Sequence, residues 1–312
     1  MKLKRYKNNP ILKPNKKNWW ESQAIFNPGA VYKDDQVHLF PRAIGEYESY
    51  ISRLGHYISS DGFNFQHSSD DPVFAPEEEF EKWGCEDPRI TELNRQYYFT
   101  YTALSKPVKE GGGPPRAAVA STTDFISFHR YGIITPSGAD DKDVVILSEK
   151  IDNKFVILHR PHWVGDKYET DRPSIWIGYS DKLQGLENTK VIIKPEQEWE
   201  SKKIGAGPPP IKTREGWLLI YHGVDENLVY RAGVALLDLK DPSKVKSRSN
   251  QPILEPETSY EKIGDVPNVV FPEGAVVIDD ELFVYYGGAD KVCCAATVPL
   301  DELLDYLLTS QK

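Results

Sequence analysis

Cysteine is scarce in this 312-residue chain: Cys85 stands alone, and Cys293 and Cys294 are adjacent. No paired disulfide framework is available, and a reducing, cytoplasmic setting is expected. Metal-ligand spacing is missing too. The seven histidines form no His-x-x-x-His or Glu-x-x-His arrangement, His159 and His162 are separated by a proline, and there is no Cys-x-x-Cys, so no metal is expected. Neither a Gly-x-Ser-x-Gly elbow nor a Walker-type phosphate loop occurs. Gly111-Gly112-Gly113-Pro114-Pro115 has no lysine and no following helix, and reads as a flexible loop. Positive charge is also in deficit. The formal charge of −9 argues against nucleic acid and anionic membrane as partners, since both require a basic footprint. The segment Met1 to Tyr6 carries charge with no apolar run behind it, so neither a signal peptide nor a membrane span is expected.

What the chain does have is a repeat. Phe26-Asn27-Pro28-Gly29-Ala30, Glu86-Asp87-Pro88-Arg89, Lys142-Asp143-Val144-Val145, Gly205-Ala206-Gly207-Pro208-Pro209 and Phe271-Pro272-Glu273-Gly274-Ala275 place anchors at 27, 87, 143, 207 and 273, spaced 60, 56, 64 and 66 residues apart. A period of this size marks propellers and related arrays. Each anchor is followed by an apolar stretch, a polar turn such as Lys33-Asp34-Asp35, and an aromatic and β-branched stretch such as Tyr97 to Tyr101, which together read as a hairpin. A third, small-residue strand follows in each repeat, as in Arg116 to Asp124 and Arg231 to Asp238. The proline-flanked runs Pro10 to Pro14, Pro72 to Pro76 and Pro252 to Pro256, with Val191 to Pro195 as a degenerate copy, read as outer edge strands, where a missing N–H is tolerated. The Pro10 copy has no preceding repeat and is expected to complete the last one. The reading is all-β: a five-bladed β-propeller spanning residues 1–312 as one domain, with a short C-terminal helix over Leu300 to Leu308.

Inner strands of such a ring converge on one axis, so the anchors share a rim. That rim carries Asn27, Glu86, Asp87, Arg89, Lys142, Asp143 and Glu273, with Lys203 just before its glycine-rich anchor. A second polar tier lies at the ends of the second strands, at Arg42, His159-Arg160, His222 and Asp290. Strand alternation allows only one of His159 and Arg160 to face the axis. Polar and ionised groups converging at a channel mouth form the default binding site. Tyr50, Tyr101, Tyr221, Tyr285 and Tyr286 stand nearby; strand packing explains most of them.

With Gly84-Cys85-Glu86-Asp87-Pro88-Arg89, Leu158-His159-Arg160-Pro161 and Tyr221-His222-Gly223 following the Asn27 motif in order, the chain resembles glycoside hydrolase family 130, the β-mannoside phosphorylases, over almost its full length. The resemblance implies inverting phosphorolysis of a β-mannoside to α-mannose 1-phosphate and a shortened sugar, with inorganic phosphate as co-substrate and no cofactor. It assigns the proton donor to Asp87, acting through a hydroxyl of the mannosyl ring, and phosphate binding to Arg160 and His222. Lys142 and Lys203 are further phosphate-binding candidates, and Asn27, Arg53, Arg89, Asp143, Glu273 and Asp290 are candidates for the sugar. An acid protonated near neutral pH needs a raised pKa, from burial or from a neighbour such as Glu86 or Asp143. Some family members have Arg-Asn where this chain has Lys142-Asp143, so Asp143 would repel phosphate unless it pairs with Lys142 or another cation. An inverting hydrolase with Glu273 or Asp143 as base, and a non-catalytic carbohydrate-binding propeller, are the competing readings. The acceptor side is expected in the loops Ala43 to Tyr50, Ser105 to Pro115 and Val164 to Pro173. The short ends and lack of a long insertion favour β-1,2-mannobiose slightly over β-1,4-manno-oligosaccharides or mannosyl-glucose and mannosyl-N-acetylglucosamine. Trp19 and Trp20 either cap a repeat or meet a second copy, which leaves a homo-oligomer open.

Overall fold

The computed structural model describes residues 1–110, 113–136 and 140–309; Gly111 and Gly112 of the glycine-rich loop lie outside them. The described chain is almost entirely β, in five antiparallel units. The first unit pairs Ala24–Lys33 with Gln36–Ile44, which pairs with Ser52–Leu54 and Tyr57–Ser59, and then Gln66–His67. Gly84–Leu93, Gln96–Leu104, Arg116–Thr122 and His129–Ile133 form the second. The third runs Asp141–Ile146, Phe155–Pro161, Ile175–Ser180 and Glu187–Ile193. In the fourth, Lys203–Ala206 and Ile211–Lys212 both pair with Trp217–Val224, followed by Tyr230–Leu237 and Val245–Arg248. The fifth contains Val270–Ile278, Glu281–Gly288 and Val292–Pro299, and takes its outer strand, Lys4–Arg5, from the N-terminal end of the chain.

Local chemistry explains the hairpins. Asp34-Asp35, Asn94-Arg95, Asp152-Asn153 and Asp279-Asp280 each place two consecutive residues at positive φ, the two-residue turn whose twist matches that of the flanking strands. Four of the five anchors are bulges. Register shifts fall between Phe26 and Gly29, Glu86 and Arg89, Lys142 and Val145, and Pro272 and Gly274. Asn27, Asp87 and Asp143 lie in the left-handed region at φ 46, 54 and 54, a conformation that Asn and Asp tolerate better than other side chains. Each bulge turns its polar side chain out of the strand's alternation.

The proline-flanked runs are not the outer strands. Leu12, Phe74 and Leu254 each make only a single bridge, to Cys293, Leu54 and Ala232, because the prolines on both sides leave no continuous row of donors. The outer slots are filled instead by Gln66–His67, His129–Ile133, Val245–Arg248 and Lys4–Arg5, while Val191 to Ile193 end a true outer strand. The Pro10 copy does join the last unit, through reciprocal backbone bonds between Leu12 and Cys293.

Apolar clusters bridge successive units: Phe40 packs with Phe99, Tyr98 with Phe155, Val145 with Ile204, Ile220 with Val284, and Tyr285 with Ile25. Trp20 is buried, and its indole donates to the Asp70 carbonyl, so it caps the first unit. Trp19 is exposed beneath the Arg53 guanidinium. Leu303, Leu304 and Leu307 of the C-terminal helix Leu300–Thr309 pack on the cluster joining the fourth and fifth units. Among the described residues no helix is long and apolar enough to cross a membrane.

Glycines set the closest approaches between units. A Cβ on Gly29 would lie 2.5 Å from the Pro88 carbonyl oxygen and 2.8 Å from Ile90 Cδ1. Gly29→Ala is therefore expected to lower stability by about 1–3 kcal/mol, measured by urea denaturation; a transition within error of the parent would show that the two units can separate without cost.

Candidate active site

A cavity of about 290 Å³ opens where the bulges meet. Of the predicted site residues it takes in Asn27, Asp87, Lys142, Asp143, Arg160, Lys203, His222 and Asp290. Arg53, Arg89 and Glu273 do not line it. Arg53 stacks on Trp19, 4.9 Å from the ring centre. Arg89 and Glu273 lie beneath the cavity floor, almost wholly buried.

Arg89 is the hub of that floor. It donates to the carbonyls of Asp87, Ala206 and Gly207 and, through Nη2, to Asp143 Oδ1 at 3.1 Å. The same nitrogen stands 2.9 Å from Glu273 Oε1, at an angle too poor for a hydrogen bond, and both Glu273 oxygens lack a donor. Burial pushes the Glu273 carboxyl well above its usual range.

Asp87 Oδ1 accepts from Asn27 Nδ2 at 2.9 Å and from Arg42 Nη1 at 3.0 Å. Burial favours the neutral acid, but Arg42, Lys142 and Arg89 outweigh it and hold Asp87 below the usual carboxylate range. This corrects the expectation of a raised pKa: the neighbouring cations dominate and the neighbouring carboxylates do not. Of the carboxyls that line the cavity, the one that burial raises is Asp290, to about 7. Arg42, absent from the predicted binding set, also bonds Glu86 Oε1 at 2.5 Å and Ser52 Oγ at 2.9 Å. Its signal was the polar interruption at the end of a second strand, shared with Arg160 and His222.

The opposite wall is cationic. Asp143 Oδ2 accepts from Arg160 Nε at 2.5 Å and lies 3.5 Å from His222 Nε2. Burial opposes its charge, yet the guanidinium groups of Arg160 and Arg89 hold it strongly ionised. Asp143 thus pairs with Arg160 and Arg89 rather than with Lys142. Burial lowers His222 to about 3 and Lys203 to about 8, so the imidazole is neutral at pH 7 and the ammonium is charged. Lys203 Nζ sits over the Tyr230 ring at 5.2 Å. Among the described residues, neither Lys142 Nζ nor the Nη nitrogens of Arg160 make a hydrogen bond, which leaves donors open to an anion. His159 points away from this wall, and its Nδ1 lies 2.7 Å from Asp141 Oδ2. Sequence reasoning also missed Tyr230 and Phe271; the Phe271 ring packs 4.5 Å from His222. A carboxylate facing an array of fixed cations suits proton transfer at one end of a ligand and anion binding at the other.

Residues 2–309 match the profile of glycoside hydrolase family 130, described as β-1,4-mannooligosaccharide phosphorylase. A 1,2-β-oligomannan phosphorylase of Thermoanaerobacter sp. (strain X514) is 43% identical, covering 97% of this chain and 99% of that protein. A β-1,2-mannobiose phosphorylase of the same organism is 44% identical at the same coverage, 97% and 99%. The structure of the β-1,2-mannobiose phosphorylase of Listeria innocua with β-1,2-mannobiose superposes with a TM-score of 0.86 at 29% identity, covering 99% of both chains. With residues 2–309 matched and both relatives covered almost end to end, the chain belongs to glycoside hydrolase family 130.

Proposed function

We propose that this protein is an inverting β-1,2-mannoside phosphorylase built as one five-bladed propeller and working in the cytoplasm. The observation that carries the chemistry is the cationic wall facing Asp87: Arg160, Lys142 and Lys203 surround a space with open donors. Phosphate is already a nucleophile and has to be held against carboxylate repulsion, which is what such a wall supplies. Its oxygen bonds to the anomeric carbon as the glycosidic C–O bond breaks. Monohydrogen phosphate loses one proton on becoming the glycosyl ester, and the departing sugar oxygen gains one. Asp87 carries that proton through a ring hydroxyl, so an acid ionised in the free enzyme is loaded once ligands are bound. Asn27, Arg42 and Asp290, on the Asp87 side, orient the mannosyl unit.

A hydrolase would need a second carboxylate free to activate water. Glu273 lies below the floor against Arg89, and Asp143 is neutralised by two arginines and made a poor base. The β-1,2 linkage is supported by the names of the two relatives at 43% and 44% identity and by the bound sugar in the Listeria structure, against the β-1,4 description of the broader family. The near-equal identities favour neither the disaccharide nor longer chains. The five hairpins, four of them bulged at the anchor, with contacts running from each unit to the next and from the fifth back to the first, support the ring, and three buried free cysteines fit a reducing compartment.

Incubated with α-mannose 1-phosphate and an acceptor panel of mannose, glucose, N-acetylglucosamine and manno-oligosaccharides, the protein is expected to release phosphate with mannose or β-1,2-mannosides and form a β-1,2 bond. Phosphate-independent cleavage of mannosides would hand the site to a hydrolase, and sugar binding without turnover would make it a binding module. Asp87→Asn should lower kcat by roughly 10²–10⁴-fold with the fold retained; near-parent turnover would remove Asp87 from its role. Because Lys203 loses its charge above about 8, the phosphate KM should rise as pH passes upward through that value, and more steeply than in Lys203→Met, for which phosphate's own ionisation is the same. Parallel profiles for the two proteins would show that Lys203 does not hold the anion.

A further inference from the structure

Four of the five units share a buried tie that the chemistry above does not use. A glutamate just ahead of the inner strand accepts from a tyrosine hydroxyl and faces a basic side chain of the outer strand. Glu81 takes Tyr101 and Arg130, Glu200 takes Tyr221 and Arg248, Glu261 takes Tyr286 and Arg5, and Glu21 takes Tyr57 with His67. Glu81, Glu200 and Glu261 each occupy the third position of a short helical turn with a capping box, so the tie fastens the linker to the sheet behind the site.

The third unit is different. His159 occupies the strand position that Tyr221 holds in the fourth, one residue before the cavity-facing Arg160 or His222. Its partner is Asp141, on the inner strand itself, with Nδ1 and Oδ2 2.7 Å apart and both side chains fully buried. The pair sits one residue from two of the three phosphate-wall cations: Lys142 follows Asp141, Arg160 follows His159, and Lys142 and Arg160 face each other across the two strands. Beside them the inner strand is loosened by its bulge between Lys142 and Val145, and Lys142 makes no side-chain hydrogen bond among the described residues. Asp141 Oδ1 and His159 Nε2 are also buried without partners, so the bond between them is the only side-chain hydrogen bond either makes there, and losing it would strand a buried carboxylate.

We propose that Asp141 and His159 form a positioning pair that fixes the spacing of Lys142 and Arg160 and thereby sets phosphate affinity. His159 does not line the cavity, and although Asp141 does, its carboxyl is fully buried against His159. The proposal rests on the phosphorylase reading for where phosphate binds, and its test separates the two.

Phosphate binding is measured by calorimetry on the full-length protein without sugar, alongside steady-state KM values for phosphate and mannoside. His159→Leu removes the donor, whereas His159→Asn puts an amide N–H near the place of Nδ1. The leucine variant should bind phosphate roughly tenfold more weakly, the loss of one charge-assisted hydrogen bond, with the mannoside KM nearly unchanged, and the asparagine variant should recover most of that loss. Should His159→Leu fail to fold, Asp141→Asn replaces it, with the same loss expected. Unaltered phosphate affinity in these variants, or equal losses for phosphate and mannoside, would overturn the positioning role. Parent protein that binds phosphate but turns over no mannoside would sink the phosphorylase reading and leave this comparison valid.

Discussion

The site depends on one buried cation. Arg89 sits in the second unit, accepts the charges of Asp143 from the third and Glu273 from the fifth, and donates to two carbonyls of the fourth. An arginine cannot shed its charge to relieve burial, so its surroundings must supply carboxylates and carbonyls in fixed directions. That requirement holds four inner strands at one depth. It also disposes of Asp143: with one oxygen on Arg89 and the other on Arg160, its charge is met from both sides and it anchors Arg160 at the cavity wall. The result is two layers, a structural ion network below and a set of unsatisfied cations above, sharing Asp143 as their joint.

Backbone strain and function coincide in the bulges. Asn27, Asp87 and Asp143 adopt a left-handed conformation that costs most residues about 1 kcal/mol or more, and that conformation brings side chains of adjoining units to one place. Gly205 serves the same end by omission, since a Cβ there would lie 2.1 Å from Asp143 Oδ2. The identities at these positions are thus constrained twice, by geometry and by chemistry, which is why they stand out against a background of interchangeable strand residues.

That double constraint decides what could be read from the sequence. The recurrence of the anchors and the polar turns exposed the five hairpins, and the polar residues at the ends of the second strands exposed Arg160 and His222. The proline-flanked runs misled, because hydrophobicity between prolines looks like an edge strand whether or not a row of donors exists to pair it. Arg42 was visible as a polar interruption but not as the partner of Asp87, since the bond spans 45 positions of sequence. Protonation was the least legible property. The state of Asp87 depends on three cations brought together only by the fold, and the elevated carboxyls proved to be Asp290 in the cavity and Glu273 below it, whose burial no local pattern reveals.

The outer strand of the last unit, Lys4–Arg5, pairs with Val292–Pro299, and Arg5 reaches Glu261 on the way. The partners stand more than 250 positions apart, and loops of that length close slowly. During synthesis the strand emerges long before its partners exist, and through that interval the N-terminal segment has no sheet to join. The second, third and fourth units can each form from contiguous sequence, whereas the fifth waits for the chain to be almost complete. Assembly of the cavity, which needs Phe271 and Asp290 beside Asn27, is therefore a late event of biogenesis, and a ribosome-bound fragment ending before the fifth unit would hold most of the fold without a working site.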